Sequence, residues 1–283
     1  MRFENKSYGE ERALYGIENA EVVRCTFEGE EDGESALKEC RNIKVSDCDF
    51  KLRYPFWHVE GAEIEYIRMT ETCRAAFWYD SDILIRNSDL HGIKALRECR
   101  NISIHSSDIT SAEFGWRCNN LNIEKTIVRS EYPFFECRDM NARSLKLEGK
   151  YSFQYVENAT FNDCIFKTKD AFWHSKNVTV YDSIISGEYL GWYSENLRLV
   201  RCKISGTQPL CYCKGLVLED CEMVDTDLSF ERSEVNATVK GRIVSVKNPI
   251  SGSIVADEIG DIVDYSPDCN CKITVKQGKE CLL

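Results

Sequence analysis

The sequence predicts an all-β protein built as a parallel β-helix, a solenoid of about eleven coils of ~19 residues with a β-rich C-terminal cap. Three observations lead to this fold class: an internal repeat, a column of residues that tolerate a left-handed backbone, and apolar residues at alternate positions. A single coil is not stable alone, because it buries its apolar residues only against neighbouring coils.

The internal repeat is clearest between residues 172 and 199. Shifting the chain by nineteen residues places segment 191–199 under segment 172–180, with a tryptophan, a serine and an asparagine in matching places. From Asp80 onward every step is nineteen residues, and such self-similarity is typical of a solenoid. We call the residues equivalent to Ser175 the reference column: Ile17, Cys40, Val59, Asp80, Cys99, Cys118, Cys137, Val156, Ser175, Ser194 and Cys213.

A bend is predicted two positions after the reference column. Every coil carries there an asparagine, an aspartate or a glycine, the residue types that best tolerate positive φ. This bend column reads Asn19, Asn42, Gly61, Asp82, Asn101, Asn120, Asp139, Asn158, Asn177, Asn196 and Gly215.

Three short strands are predicted in each coil. Apolar residues at alternate positions after the bend, such as Val178 and Val180, indicate the first strand. A second pair eight and ten positions after the reference column, such as Cys164 and Phe166, indicates a second strand facing the same core. A third strand is predicted before the reference column, around Phe56, Phe77, Phe134, Phe153 and Phe172.

Competing solenoids fit the sequence less well. A leucine-rich repeat needs its own leucine and asparagine frame and a helical half, and a left-handed hexapeptide helix needs coils that are multiples of six residues. The pattern resembles instead the right-handed, pectate-lyase-like parallel β-helix with an asparagine ladder at one corner. Segments 33–38, 169–173 and 187–192 are similar to a family of uncharacterised bacterial β-helix proteins, over roughly residues 10 to 265. The resemblance implies a right-handed solenoid and no established activity.

The continuous repeat predicts one elongated β-helix domain at residues 1–265, followed by a tail at 266–283. Residues 1–16 are expected to cap the first coil, residues 17–231 to form the regular coils, and residues 232–265 to form C-terminal cap strands. A motif beginning at Gly241, Gly252 and Gly260 recurs at spacings of eleven and eight residues, which suits short strands joined by tight turns.

Composition limits the partners. A net charge of −11 without a basic stripe argues against nucleic-acid binding and against an anionic membrane surface. No stretch of eighteen apolar residues occurs, and the polar N-terminus is unlike a signal peptide, so a cytoplasmic location is expected. No P-loop, Gly-x-Ser-x-Gly or His-Glu-x-x-His motif is present, and no cofactor is predicted.

The fifteen cysteines are expected to be mostly reduced core residues. Ten of them fall into two repeat columns, Cys40, Cys99, Cys118, Cys137 and Cys213, and Cys25, Cys48, Cys164, Cys202 and Cys221. The tail holds Cys269, Cys271 and Cys281, which is fewer than the four ligands that zinc usually takes. No metal site is predicted, and Cys269 and Cys271 are the only candidates for one.

Two columns beside the reference column carry charges that would be costly to bury unpaired, so both are predicted to face solvent. The minus-one column, one position earlier, is Glu39, His58, Tyr79, Glu98, Arg117, Glu136, Tyr155, His174, Tyr193 and Tyr212. The plus-one column, one position later, is Arg41, Glu60, Ser81, Arg100, Asn119, Arg138, Glu157, Lys176, Glu195 and Lys214.

A tryptophan column lies one position before the minus-one column. Tryptophan rings beside His, Tyr, Glu and Arg suggest a face that holds an extended ligand, with stacking on sugar rings and polar contacts to hydroxyls. The alternative is that these rings stack inside the solenoid or against neighbouring coils. The ligand-binding candidates are Trp57, His58, Trp78, Tyr79, Trp116, Arg117, Trp173, His174, Trp192 and Tyr193.

Three functions stay open on this sequence. The first is a binding or scaffold protein for a carbohydrate-like or other extended ligand, or for a protein partner. The second is a carbohydrate-active hydrolase or lyase, because two carboxylates suffice for glycoside hydrolysis; its candidate residues are Glu98, Glu113, Glu131 and Glu136. Arg117 is expected to pair with two of these carboxylates and to lower their pKa. The third is a solenoid that self-assembles into oligomers.

Overall fold

A computed structural model describes residues 1–30, 34–264 and 266–276. The regular structure of these residues consists of β-strands, without any helix, so the all-β prediction is confirmed. The chain divides into two compact units, Met1–Asn141 and Ala142–Leu283.

From Glu18 onward, each coil of the first unit contains a six-residue strand and a shorter strand after the next bend. The strands are β1 (Arg2–Glu4), β2 (Ser7–Tyr8), β3 (Glu18–Val23), β4 (Thr26–Phe27), β5 (Arg41–Ser46), β6 (Asp49–Phe50), β7 (Phe56–Trp57), β8 (Glu60–Glu65), β9 (Arg68–Met69), β10 (Phe77–Trp78), β11 (Ser81–Arg86), β12 (Asp89–His91), β13 (Leu96–Arg97), β14 (Arg100–His105), β15 (Asp108–Thr110), β16 (Glu113–Phe114), β17 (Asn119–Glu124), β18 (Ile127–Ser130) and β19 (Tyr132–Pro133). Strand β20 (Arg138–Arg143) contains the division between the units.

The second unit follows the same plan and ends in longer strands. These are β21 (Lys146–Lys150), β22 (Glu157–Asn162), β23 (Ile165–Lys169), β24 (Lys176–Tyr181), β25 (Ile184–Ser186), β26 (Glu195–Val200), β27 (Lys203–Ser205), β28 (Leu216–Val224), β29 (Glu234–Lys247), β30 (Ser251–Val263) and β31 (Asn270–Val275).

Parallel pairing between coils follows the sequence repeat. In the first unit Ile83 of β11 lies beside Ile102 of β14, one repeat later. In the second unit Val178 of β24 lies beside Leu197 of β26. Equivalent residues of successive coils are therefore stacked about 4.8 Å apart, and the predicted parallel β-solenoid is confirmed within each unit.

The bend column behaves as predicted. All eleven of its residues have positive φ, between 50° at Asn42 and 74° at Gly61. Their side chains also form the expected ladder: Asn101 donates to Asp82 at 2.8 Å, and Asn196 donates to Asn177 at 3.0 Å. Because the bend column lies at an exposed corner, each of these hydrogen bonds replaces a hydrogen bond to water. It also fixes the register between two successive coils.

Stacked apolar side chains form the core. Phe56 and Phe77 in the first unit stack with ring centroids 4.8 Å apart, and Phe153 and Phe172 in the second unit with centroids 5.1 Å apart. The ten cysteines of the two repeat columns are buried and unbridged, as predicted: Cys25, Cys40, Cys48, Cys99, Cys118, Cys137, Cys164, Cys202, Cys213 and Cys221.

The third strand of each coil was predicted too broadly. Phe56 and Phe77 begin two-residue strands, and β19 ends directly before Phe134, but Phe153 and Phe172 lie in turns. The reason is local, since the backbone takes a φ of 60° at Phe153 and 61° at Phe172, which breaks the extended conformation.

The first residues and the last described strands continue the coil pattern. Within residues 1–16, β1 and β2 pair in parallel with β3 and β4. The predicted tight turns near Gly241 and Gly260 are wrong, because both glycines lie inside the long strands β29 and β30, which pair in parallel around a register shift between Val239 and Arg242. In the predicted tail, Asn270–Val275 forms β31 against β30, whereas residues 277–283, including Cys281, lie outside the described residues.

Candidate functional site

The minus-one and plus-one columns form the outer face of each unit, as predicted, except that Ser81 of the plus-one column is buried at 6% exposure. The minus-one residue precedes the six-residue strand and takes a positive φ, 57° at His58 and 59° at Tyr79, which turns its side chain outward. The plus-one residue opens the strand itself, as Glu60 does in β8. Both columns therefore come from backbone that successive coils hold rigidly.

The tryptophan rings of the first unit stack on one another. Trp57 and Trp78 are half-buried and lie parallel, with centroids 5.4 Å apart and an interplanar angle of 10°. The Lys38 ammonium lies 3.9 Å from the Trp57 centroid, and the Arg97 guanidinium lies 5.4 Å from that of Trp78. Neighbouring coils thus cover the ring faces, so these indoles do not offer the open platform that sugar stacking needs.

Other tryptophans are held in the same way and are also tied to the backbone. In the second unit Trp173 and Trp192 stack with centroids 5.5 Å apart. Their indole N–H groups donate to the carbonyl oxygens of Tyr189 and Gln208, at 2.6 and 2.8 Å. In the first unit the Trp116 N–H donates to the Tyr132 carbonyl at 2.6 Å. These bonds fix the orientation of the three rings.

From His58 onward, the minus-one column of the first unit changes from aromatic to charged residues. His58 stacks on Tyr79 with ring centroids 5.2 Å apart. Further along, Arg117 contacts Glu98 at 3.1 Å and Glu136 at 3.9 Å, as predicted. Each of these side chains reaches solvent, so the ion pairs contribute little to stability.

The minus-one column of the second unit is an aromatic ladder. His174 stacks between Tyr155 and Tyr193, with ring centroids 5.0 and 5.1 Å apart, and Tyr193 stacks on Tyr212 at 5.0 Å. Neighbouring rings cover the faces of His174 and Tyr193 and leave their edges exposed. The candidates His174 and Tyr193 are thus brought together in one stack of rings.

A groove opens on the outer face of the first unit, between its two columns. It encloses about 600 Å³ and is open to solvent. The short side chain of Ser81 lies in the plus-one column, where Glu60 and Arg100 flank it in the parallel register. The groove is lined by Gly16, Glu18, Glu39, Arg41, His58, Val59, Glu60, Tyr79, Ser81 and Arg100.

Ion pairing is uneven along this groove, because one of its two arginines has a carboxylate partner and the other has none within the described residues. Arg41 lies beside both Glu18 and Glu60 in the register and approaches the Glu60 carboxylate to 3.9 Å. The Tyr15 hydroxyl donates to Glu39 at 2.6 Å. Arg100 makes no ion pair and no side-chain hydrogen bond to the residues that the structure describes, since its neighbours in the column are Ser81 and Asn119.

Among the groove residues, only His58 and Tyr79 were predicted from the sequence as ligand-binding candidates. Glu39, Glu60 and Arg100 stand in the two columns that were predicted to face solvent, but nothing in the linear pattern distinguished them from other coils. The sequence feature that could have indicated the groove is Ser81. It is a short uncharged residue in the plus-one column, where the two preceding residues, Arg41 and Glu60, have long charged side chains.

The carboxylates proposed for hydrolysis are mostly held by cations. Glu98 accepts hydrogen bonds from Arg97 at 3.2 Å and Arg117 at 3.1 Å. Its pKa is lowered, first by a hydrogen bond from Tyr79 and then by the two guanidinium groups. Glu113 lies 3.6 Å from the Lys94 ammonium. A general acid for glycoside cleavage needs a raised pKa, and Glu98 has the opposite.

A buried carboxyl lies directly behind the groove. Asp80 is 1% exposed and separates the groove residues Tyr79 and Ser81 in sequence. One of its oxygens accepts the Val59 backbone N–H at 2.8 Å, and the other has no hydrogen-bond partner. Burial raises the pKa of Asp80 well above its usual value. The sequence feature that indicates this burial is the position of Asp80 in the reference column, because the other residues of that column are cysteines, serines and aliphatic residues.

No metal centre was found in the part of the chain that the structure describes. No three His, Cys, Asp or Glu side chains there come together in a way that could hold an ion. The Cys269 thiol instead donates to the Asn248 side chain at 2.6 Å. Over the same residues, the structure contains no helix long and apolar enough to cross a bilayer.

Comparison with known proteins gave one family and several distant structures. A family model described as "Protein of unknown function (DUF3737)" matches residues 1–276. No curated protein matches the sequence. The A-module of the Azotobacter vinelandii mannuronan C-5 epimerase AlgE6 is 11% identical with a TM-score of 0.46, over 98% of this chain and 89% of that one.

Two further solved structures are similarly distant. The Streptococcus pneumoniae surface adhesin PfbA is 12% identical with a TM-score of 0.40, over 90% of this chain and 72% of that one. A tailspike protein of the E. coli bacteriophage HK620, in complex with hexasaccharide, is 10% identical with a TM-score of 0.35, over 96% and 72%. Identities of this size transfer no activity to the present chain.

Proposed function

We propose that this chain, which belongs to the DUF3737 family of proteins of unknown function, is a binding protein that holds an extended carbohydrate in the groove of its first unit. The observation that carries the proposal is the groove itself, an open depression of about 600 Å³ with a predominantly polar lining. A polyhydroxylated ligand matches such a lining because each hydroxyl group both donates and accepts hydrogen bonds.

The length of the groove supports an extended ligand. Its plus-one residues run from Glu18 through Arg41, Glu60 and Ser81 to Arg100, each one coil from the next. Four steps at the interstrand spacing amount to about 19 Å. Donors and acceptors at regular intervals along a rigid sheet suit a ligand with a repeating chemical unit.

The tryptophans have a supporting role in this proposal. Trp57 and Trp78 stack behind His58 and Tyr79, with the Trp57 ring 5.9 Å from that of His58 and the Trp78 ring 5.2 Å from that of Tyr79. They stiffen the aromatic wall, and the ligand contacts the exposed edges of His58 and Tyr79. Little side-chain entropy is then lost on binding, since these rings are ordered beforehand.

Binding is favoured over catalysis by the state of the carboxylates. Glu98 and Glu136 share Arg117, and the lowered pKa of Glu98 does not suit a general acid. Within the groove, Glu60 lies near Arg41 and Glu39 accepts a bond from Tyr15. With these contacts, the carboxylates of Glu60 and Glu39 are suited to accept hydrogen bonds from a ligand rather than to donate a proton to it.

A glycan array probed with the purified full chain, followed by product analysis of every glycan retained, tests the proposal. Retention of a set of glycans that are recovered intact supports it. Recovery of shortened or unsaturated products would replace it with a hydrolase or lyase. Absence of binding across the array, with a chain shown to be folded by circular dichroism, would leave the protein-partner and self-assembly alternatives and would contradict the carbohydrate proposal.

A further inference from the structure

The two ends of the groove differ in whether their arginine has a charged partner. At the Arg100 end the guanidinium group has uncharged neighbours on both sides of its column, Ser81 and Asn119. At the other end, Glu18 lies beside Arg41, which also approaches Glu60. Positive charge is therefore balanced within the structure at the Glu18 end and left unbalanced at the Arg100 end.

Nearby acidic groups do not neutralise Arg100. Glu98 is the closest carboxylate in the chain sequence, and its carboxylate is bound by Arg97 and Arg117 at 3.2 and 3.1 Å. Tyr79 also donates to Glu98, which raises the Tyr79 pKa and lowers that of Glu98. The carboxylate of Glu98 is thus already bound by other cations and does not pair with Arg100.

An exposed guanidinium group that has no partner in the described residues is suited to bidentate recognition of an oxyanion. Its planar donors match a carboxylate or sulfate group, and such charge-assisted bonds are roughly twice as strong as neutral ones. Hydroxyl groups alone would leave this charge unmatched.

We propose that the carbohydrate bound in the groove is anionic and that Arg100 binds its acidic group. This inference rests on the proposed function above and adds the chemical class of the ligand. The acidic group is a uronate carboxylate or a sulfate ester, because both offer two oxygens to the parallel N–H donors of a guanidinium group.

Titration calorimetry of the full chain with three tetrasaccharides of the same hexose tests the inference: neutral, uronate and sulfated forms. We expect at least one acidic form to bind on the order of tenfold more tightly than the neutral form. The acidic form that binds more tightly identifies the source of the oxyanion. The difference is expected to shrink in 0.5 M NaCl, since the charges are exposed.

Two variants locate the effect. Arg100→Gln should remove the preference for the acidic form and leave neutral binding within about twofold of wild type. Arg86→Gln removes the same charge from β11 of the same unit, where Arg86 pairs with Glu65 at 2.9 Å and does not line the groove, and should retain the preference. Arg100 makes no side-chain bond to the described residues, so its replacement should not lower the unfolding midpoint.

The outcomes separate the two proposals. Equal affinity for neutral and acidic forms would overturn the inference and leave carbohydrate binding intact. A preference that survives in Arg100→Gln would also overturn it. If none of the three forms binds, and the glycan array has shown no ligand either, then the proposed function itself fails.

Discussion

The Asp80 carboxyl accepts the Val59 backbone N–H at 2.8 Å across one coil step, directly behind the groove. The bond fixes the backbone between His58 and Glu60, two residues that line the groove. The second oxygen of Asp80 is buried and has no hydrogen-bond partner, and burial raises the Asp80 pKa well above its usual value. The folded protein therefore keeps this carboxyl protonated at pH values where an unfolded chain would release the proton.

Asp80→Asn should stabilise the protein increasingly as pH rises. The wild type loses stability from the unfolded-state pKa of about 4 up to the raised folded-state pKa, because the unfolded chain ionises there and the folded chain does not. The loss is at most about 1.4 kcal/mol for each pH unit within that window. Asparagine does not titrate and keeps the oxygen that accepts the Val59 N–H. Urea unfolding followed by circular dichroism at pH 5, 6.5 and 8 measures the difference.

Asp182→Asn is the control for that titration. Asp182 is exposed and accepts two hydrogen bonds from Arg201, at 2.6 and 2.7 Å, which lower its pKa. Its contribution to stability is present above the unfolded-state pKa and is lost only in more acidic solution. The effect of Asp182→Asn should therefore be constant from pH 5 to pH 8. An Asp80→Asn effect that is equally constant would show that Asp80 is ionised in the folded protein.

Asn177 is the test of the bend column in the second unit. It donates to Asn158 at 3.2 Å, accepts from Asn196 at 3.0 Å and has a φ of 53°. Asn177→Ala should cost about 2 to 4 kcal/mol in the free energy of unfolding, since two hydrogen bonds are lost and alanine disfavours this backbone. Asn177→Gly loses the same bonds but accepts the backbone, so urea unfolding should place it between alanine and wild type. A glycine variant no more stable than the alanine variant would exclude backbone strain as a cause.

Thiol reactivity should be very low in the folded protein. Burial raises the pKa of Cys40 to about 11 and that of Cys48 to about 12. At pH 8 the thiolate fraction of Cys40 is then on the order of one in a thousand, in addition to its steric protection. Mass spectrometry after brief iodoacetamide treatment should find Cys40 and Cys48 unmodified in buffer and modified in 8 M urea. Rapid labelling in buffer would contradict the packing described for these columns.

The sequence alone was sufficient to predict the solenoid, because its repeat and its bend column are local requirements. A positive φ at Asn177 follows from the residue type and its place in the repeat. The C-terminal strands were harder to predict, since Gly241 lies inside β29 at a register shift, and a register shift depends on the pairing strand rather than on the glycine. The turns at Phe153 and Phe172 likewise depend on how the chain returns to the core.

The site was only partly predictable, for a physical reason. Column position predicted that His58 and Tyr79 reach solvent, but whether Trp57 presents a face or an edge depends on Lys38 and Trp78 in adjacent coils. The groove itself arises from differences between neighbouring side chains in one column. Such differences become visible only when the register between coils is known.

Binding of the retained glycan to Tyr79→Asn and Tyr193→Asn, measured by titration calorimetry, tests the central claim most directly. The two tyrosines are matched: each has a φ of 59°, which asparagine tolerates, and they are 44% and 45% exposed. Only Tyr79 lines the groove. We expect Tyr79→Asn to weaken binding at least about tenfold and Tyr193→Asn to leave it unchanged. Equal weakening by both variants, or by neither, would contradict a binding site in the groove of the first unit.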